Sequence, residues 1–181
     1  LHVRSRRQRQ MCIRDSSTTT TLEFTTTAHS TWLDFIGESV ERVVVNGVER
    51  DVIYDGARIE LRDLADTNVV RVEAVGSYSR SGEGLHRFHD PVDDRTYLYT
   101  QYEPADSRRV MACFEQPDIK APYTFVIDAP AGWEVLSNQV AATVDAGVGV
   151  QRVEFAPTLP ISSYITSVAA CLLYTSPSPR D

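Results

Sequence analysis

The sequence is poor in cysteine and has no long apolar run, and each absence excludes a class of protein. Its 181 residues contain three cysteines. Cys12 and Cys171 belong to terminal segments of foreign character, which leaves Cys113 alone, so neither a disulfide framework nor a cysteine zinc site is expected. No apolar stretch approaches the roughly 20 residues that a membrane-spanning helix needs. A single cysteine fits a reducing compartment slightly better than an oxidising one, and the expected location is cytoplasmic.

The foreign character of the ends rests on two hexapeptides, MCIRDS at 11–16 and CLLYTS at 171–176. The codons ATG TGT ATA AGA GAC AGC encode the first. Their reverse complement, read from the third base, encodes Cys-Leu-Leu-Tyr-Thr and then starts a codon compatible with Ser. Such inverted repeats flank inserts in transposase-based sequencing libraries. We therefore interpret residues 1–16 and 171–181 as adapter-like, expect 1–16 to be disordered, and base the fold on 17–170.

Positive charge is also scarce once these ends are set aside. They contain six arginines and two aspartates, so the net charge changes from −7 for the whole chain to −11 for 17–170. The basic run RSRRQRQ lies within residues 1–16 and is excluded with them. An acidic domain without a basic stripe argues against DNA or RNA as a partner.

Alternation of apolar and polar residues dominates the rest of the chain and predicts β-strands. Leu22 and Phe24 alternate with polar neighbours. The dipeptide Asn46-Gly47, between two valine-rich stretches, is the strongest hairpin signal because both residues tolerate positive φ. Short strands separated by Gly, Pro, Asn and Asp indicate an antiparallel all-β domain. The other strand-like segments are ARIELRDL, NVVRVEAVGSYS, YTFVIDAP, WEVLSN, QRVEFAP and ISSYITSVAA.

Residues 82–125 lie between these strands and look like a long connection. Tyrosines at 97, 99 and 102 are interleaved there with polar and charged groups. Such a mixture can line an orienting pocket, and the alternative is a long loop held by pairs between arginines and carboxylates. Within it, DSRRVMACF (106–114) is the best helical candidate, a short turn that Asp106 could cap.

The stretch YLYTQYEPADSRRVMACFEQPDIKAPYTF, 97–125, resembles the signature of the N-terminal domain of aminopeptidase N. These are zinc-dependent alanyl aminopeptidases of the gluzincin clan. The flanks GEGLHRFHDP and APTLPISSYITSVAA are similar to actinobacterial members, and the resemblance covers 17–170 in order. It implies an all-β, antiparallel, saddle-shaped and sandwich-like domain, here truncated, that packs on a thermolysin-like catalytic domain.

The resemblance also implies roles for two residues of the segment Gln101-Tyr102-Glu103, which matches the family's Gln-x-Glu motif. Glu103 would bind the free α-ammonium group of a peptide substrate, and Gln101 would line the pocket for the first residue. A partly desolvated carboxylate can give an ammonium a charge-assisted hydrogen bond of about 1.5–3 kcal/mol. An internal peptide bond lacks that cation. The role is therefore one of specificity and positioning, separate from the chemical step.

The zinc chemistry of that family needs His-Glu-x-x-His on a helix, followed by a further Glu ligand. None of the four histidines begins such a motif, and the family's Gly-x-Met-Glu-Asn segment is missing too. We therefore assign no catalytic residue and no metal ligand to this chain, and expect it to be inactive alone. Zinc would be the cofactor of the parent enzyme. The histidines are His2, His29, His86 and His89.

Other chemically suggestive residues have ordinary explanations. Arg108 and Arg109 could bind a substrate carboxylate, but nearby acidic residues favour ion pairs within the protein. Cys113 is expected to be a small buried side chain. His86 and His89 lie three apart in a strand-rich segment, which does not bring them together as a helix would, so we expect surface or packing histidines. The acidic residues are Asp106, Glu115 and Asp118.

The parent protein is thus predicted to be a metallo-aminopeptidase that releases N-terminal amino acids from peptides. Its expected partners are peptide substrates, bound through their free N-terminus, and its own catalytic domain. The alternative is a free-standing β-sandwich module for peptide or carbohydrate, which explains the strands and aromatics but not the Gln-x-Glu segment. A third possibility is a relative that kept the fold and lost activity, or one with added epoxide-hydrolase chemistry.

Overall fold

The computed structural model describes residues 2–4 and 15–172. β-Strands supply nearly all of the regular structure in this part of the chain, with two short 3-10 helices at Ser107–Arg109 and Ser163–Ile165. The strands are β1 (His2–Arg4), β2 (Asp15–Thr25), β3 (Thr31–Asp34), β4 (Ser39–Val45), β5 (Val48–Arg50), β6 (Arg58–Leu61), β7 (Thr67–Ser77), β8 (Gly84–Asp90), β9 (Arg95–Gln101), β10 (Val126–Pro130), β11 (Glu134–Ser137), β12 (Ala141–Ala146), β13 (Val150–Phe155) and β14 (Val168–Cys171).

Three sheets organise these strands. The largest has the order β12-β13-β10-β1-β2-β7-β4-β5, a second has β11-β14-β9-β8, and a third pairs β3 with β6. Among the described strand pairs, β1 with β10 is parallel and the others are antiparallel. The prediction of an antiparallel all-β fold is confirmed.

The predicted hairpin lies between β4 and β5. Asn46 and Gly47 have φ values of 52° and 80°, the left-handed conformation that a two-residue hairpin turn requires. Val45 pairs directly with Val48 across this turn. The dipeptide therefore fixes the register of a strand pair at the edge of the largest sheet.

One expectation needs correction. Residues 84–101 are a hairpin, not part of a long connection, because Gly84–Asp90 and Arg95–Gln101 pair in antiparallel register. The expected disorder of 1–16 stays a prediction; in the described structure His2–Arg4 lies between β2 and β10, and Asp15 and Ser16 belong to β2. Ladder hydrogen bonds use only the main chain, so an extended segment of any sequence can fill a gap between two strands. The rest of 1–16 lies outside the described residues.

The core divides into three clusters. The first joins β4 and β7 to the small sheet and includes Leu33, Phe35 and Ile59, each 0% exposed. The second lies between the largest and the four-stranded sheets, around β10, β11, β13 and β14. The third is small and contains Leu85, Tyr102 and Val110, with Tyr78, Leu98 and Tyr164 at its margin. This third cluster positions the candidate site.

Candidate functional site

The segment Gln101-Tyr102-Glu103 alternates between solvent and core. Gln101 is the last residue of β9 and pairs with Gly84. Tyr102 is 2% exposed and packs in the third cluster, whereas Gln101 and Glu103 are exposed. The peptide bond between Glu103 and Pro104 is cis. A buried aromatic side chain between two exposed polar ones directs both polar groups outward at the end of the sheet.

Gln101 and Glu103 are both unpartnered within 15–172. Neither side chain makes a hydrogen bond or an ion pair there. The Glu103 side chain is exposed, whereas ammonium recognition was expected to use a partly desolvated carboxylate. Desolvation of this group would therefore have to come from whatever covers it.

The backbone directly after Glu103 is held by a hydrogen bond to Tyr102 and by a short helix. The backbone N–H of Asp106 donates to the carbonyl of Tyr102 at 2.8 Å, and the first 3-10 helix follows. Asp106 makes no side-chain cap, contrary to the sequence expectation; its carboxylate accepts from Arg109 Nε at 2.7 Å instead. The Arg109 side chain lies against Gly84, where an added Cβ would meet Arg109 Cβ at 2.9 Å. The helix is thus packed directly onto β8.

Cys113 is buried, as expected, at 4% exposure. Burial, together with the charges of Glu115 and Asp34, raises the pKa of its thiol well above the usual value. The thiol is therefore protonated at neutral pH and is a poor nucleophile. The expected internal ion pair is present for Arg109, whereas the Arg108 guanidinium forms no ion pair within 15–172.

The two neighbouring histidines do not converge. His86 packs its ring on Tyr99 at 4.9 Å between centroids, and His89 Nε2 lies 3.1 Å from Asp94 Oδ1. In residues 15–172 no three side chains of His, Cys, Asp or Glu come close enough to hold a metal ion. The residues present there do not fit a zinc site.

One face of the four-stranded sheet carries several exposed aromatic and aliphatic side chains. Residues directly opposite one another share a face, and the register places Phe88 across from Tyr97 and Tyr99 across from Ala169. Phe88 and Tyr99 are 47% and 44% exposed, and Leu136 of β11 is 58% exposed. We call this surface the outer face. Its members are Gly84, His86, Phe88, Tyr97, Tyr99, Gln101, Leu136, Ala169 and Cys171, together with the charged residues Asp90, Arg95 and Glu134.

A groove of about 360 Å³ beside β8 is lined by Arg80 and by the residues from His86 to His89. Another, of about 230 Å³, lies over β4, β5 and β6. Neither reaches Gln101 or Glu103. The exposed pair therefore stands outside both concavities, on the rim of the outer face.

The fold and site together define a β-rich domain that presents a free carboxylate at the end of a sheet, beside an apolar face. The profile of the Peptidase M1 N-terminal domain matches residues 38–165. The chain belongs to the Peptidase M1 N-terminal domain family.

Named relatives agree with this assignment. The chain is 45% identical over 140 residues to aminopeptidase N of Streptomyces lividans, covering 76% of this chain and 16% of that protein. It is 33% identical over 104 residues to human glutamyl aminopeptidase, covering 56% and 11%. The fold is similar to the crystal structure of the M1 zinc metallopeptidase from Deinococcus radiodurans, with a TM-score of 0.76 at 19% identity, over 93% of this chain and 40% of that one.

The chain thus spans about a sixth of the length of the Streptomyces relative. None of the helices in the part of the chain that the structure describes has the length and apolar character needed to cross a membrane.

Proposed function

We propose that this chain is the substrate-positioning domain of a zinc metallo-aminopeptidase that releases N-terminal amino acids from peptides. The zinc is held by parts of the parent protein outside this chain. The observation that carries the proposal is the exposed carboxylate of Glu103, which has no partner in the described part of the chain and is held outward by the buried Tyr102. Family membership, the aminopeptidases among the relatives and the similar fold of an M1 zinc metallopeptidase support it.

Glu103 acts by charge and position. Its carboxylate has no partner among residues 15–172, so an arriving α-ammonium group replaces only water there. Covering the site removes that water and strengthens the attraction between the two charges. An internal peptide segment offers no cation and leaves the carboxylate desolvated and unpaired, which is unfavourable. Gln101, on the same rim, contacts the first side chain of the substrate.

The outer face packs against the catalytic part of the parent protein. It carries exposed Phe88, Tyr99 and Leu136 and ends at Gln101. An apolar surface of this kind marks an interaction site. Burying it would bring the catalytic part next to Glu103, which is where a substrate terminus must lie.

The substitution Glu103→Gln in the full-length enzyme tests the site. We expect kcat/KM for a peptide with a free N-terminus to fall about 5- to 13-fold, because a charge-assisted hydrogen bond of about 1.5–3 kcal/mol becomes a neutral one of about 0.5–1.5 kcal/mol. Glu23→Gln is the matched control, since Glu23 is exposed on β2 and distant from the site. Unchanged kinetics in the Glu103 variant would remove this residue from the site.

Self-association of the 181-residue chain tests the outer face. We expect it to form oligomers at tens of micromolar, measured by light scattering during gel filtration, and Leu136→Glu to restore the monomer. Val148→Glu is the control, because Val148 is 99% exposed in a turn away from the outer face. A highly soluble, monodisperse wild-type monomer would argue against the proposed packing.

Two further parts of the proposal concern the gene of the parent protein and the cellular location of that protein. Uninterrupted genomic sequence should encode His-Glu-x-x-His downstream of residue 170, whereas a free-standing binding module would end or enter a linker there. We also propose a cytoplasmic location, on the basis of the single buried thiol of Cys113. Finding the parent protein in an extracellular fraction would contradict it.

A further inference from the structure

The carboxylate of Glu115 receives hydrogen bonds from separate places in the chain. Its Oε1 accepts from Ser107 Oγ and from Ser163 Oγ, each at 2.8 Å. Its Oε2 accepts from the backbone N–H of Arg108 at 2.7 Å. Ser107 and Ser163 are 0% and 1% exposed. A carboxylate held by three short bonds, two of them from buried hydroxyls, is fixed in place.

These bonds join elements that are distant in sequence. Two of the donors belong to the first 3-10 helix, and the third begins the second 3-10 helix. The segment leading to Glu115 is itself fixed to β3, because Asp34 and Cys113 exchange backbone hydrogen bonds of 2.8 and 3.1 Å. The carboxylate therefore connects both short helices to the small sheet.

The first of these helices starts four residues after Glu103, at Ser107. The turn between them is closed by the hydrogen bond from the Asp106 N–H to the Tyr102 carbonyl. Tyr102 fixes the near side of this turn by its burial in the third cluster, and the helix fixes the far side. Movement of the helix would consequently move the backbone that carries Glu103.

We propose that Glu115 is a positioning residue for recognition of the substrate amine. By clamping the first 3-10 helix, it fixes the backbone that presents Glu103. This inference rests on the proposed function of Glu103. Glutamine has the same size but no charge, so the bonds to it lose their charge-assisted strength, and serine hydroxyls that face its NH2 group must accept instead of donate. Glu115→Gln therefore loosens the clamp with little change in shape.

Hydrogen–deuterium exchange on the 181-residue chain tests the clamp. In the Glu115→Gln variant we expect the amides of Asp106 and Val110 to exchange at least about ten times faster, because both bond within the clamped turn and helix. Amides of β7, in the centre of the largest sheet, should keep their rates. Unchanged exchange at Asp106 and Val110 would overturn the proposal, and equal acceleration throughout would reduce it to a general stability effect and overturn it too.

A double-mutant cycle in the full-length enzyme tests the functional link. Glu115→Gln alone should lower kcat/KM for a free-amine peptide about ten-fold, and should have little further effect in a Glu103→Gln background. A purely structural role would give additive losses, which would overturn this inference alone. Wild-type kinetics for Glu103→Gln would overturn the proposed function, and this inference with it. Glu23→Gln again serves as the control.

Ser163→Ala covers the case in which Glu115→Gln fails to fold. It removes one donor to Oε1 and leaves the carboxylate and its other bonds in place. The same coupling to Glu103→Gln is expected, with a smaller loss of about three-fold. Additive effects of Ser163→Ala and Glu103→Gln would overturn the proposal as clearly as those of the first variant.

Discussion

Replacing Tyr102 by alanine should destabilise the chain strongly, because its side chain is 2% exposed between Leu85 and Val110. A buried tyrosine removes at least about 150 Å² from water. At about 25 cal/mol per Å² this corresponds to about 4 kcal/mol, within the range of about 3–5 kcal/mol typical for truncating a buried aromatic residue. With a urea m-value of about 2 kcal/mol per M, the unfolding midpoint should fall by about 2 M.

Two matched variants separate packing from other effects. Tyr99→Ala removes the same kind of side chain from β9, but Tyr99 is 44% exposed, so the same area estimate gives about half the loss, about 2 kcal/mol. Tyr102→Phe keeps the ring and should stay within about 1 kcal/mol. Urea unfolding followed by circular dichroism measures all three. If the Tyr102→Ala midpoint stayed within about 0.3 M of the wild type, Tyr102 would not be the anchor of the exposed pair.

Two other predictions concern alkaline pH and the hairpin turn. Burial raises the pKa of Cys113, Tyr102 and Tyr123 above the ordinary 9.0 of a thiol and 10.0 of a phenol. As the pH rises, the unfolded chain loses these protons before the folded one does. The stability contribution is therefore complete below about pH 9 and falls as the pH rises further. Urea midpoints between pH 7 and 11 should show this fall, and Tyr102→Phe combined with Tyr123→Phe should reduce it. Gly47→Ala should cost about 1–2 kcal/mol, because φ is 80° while no atom lies within 4 Å of the added Cβ; a neutral variant in thermal unfolding would show that the turn relaxes freely.

Many of the strands could be predicted from the sequence because one of their sides faces a core, whereas β5 was predicted from its turn. β7 shows full alternation, with Val70, Val72 and Ala74 buried between exposed or half-buried neighbours. β8 and β9 were missed because nearly all of their side chains are partly exposed on both faces, which leaves no alternating pattern to detect. β12 is exposed along its whole length and gives no hydrophobic signal at all.

The candidate site was predictable only in part. A family resemblance selected Gln101 and Glu103, and no periodicity distinguishes them from other polar residues on this chain. What the sequence could not indicate is how they are held. The burial of Tyr102 depends on cluster partners from β8 and the first 3-10 helix, and the clamp around Glu115 depends on Ser163, 48 residues away. Contacts between such distant residues leave no trace in local patterns.

The burial of Tyr102 between two outward-facing polar residues also matters for protein engineering. Under the proposed function, a buried ring that does not contact the peptide determines how the enzyme recognises the N-terminal residue of its substrate. Libraries restricted to solvent-facing positions would therefore overlook the side chains packed around this ring, where a change of one methyl group would tilt the exposed pair and alter which peptides are trimmed.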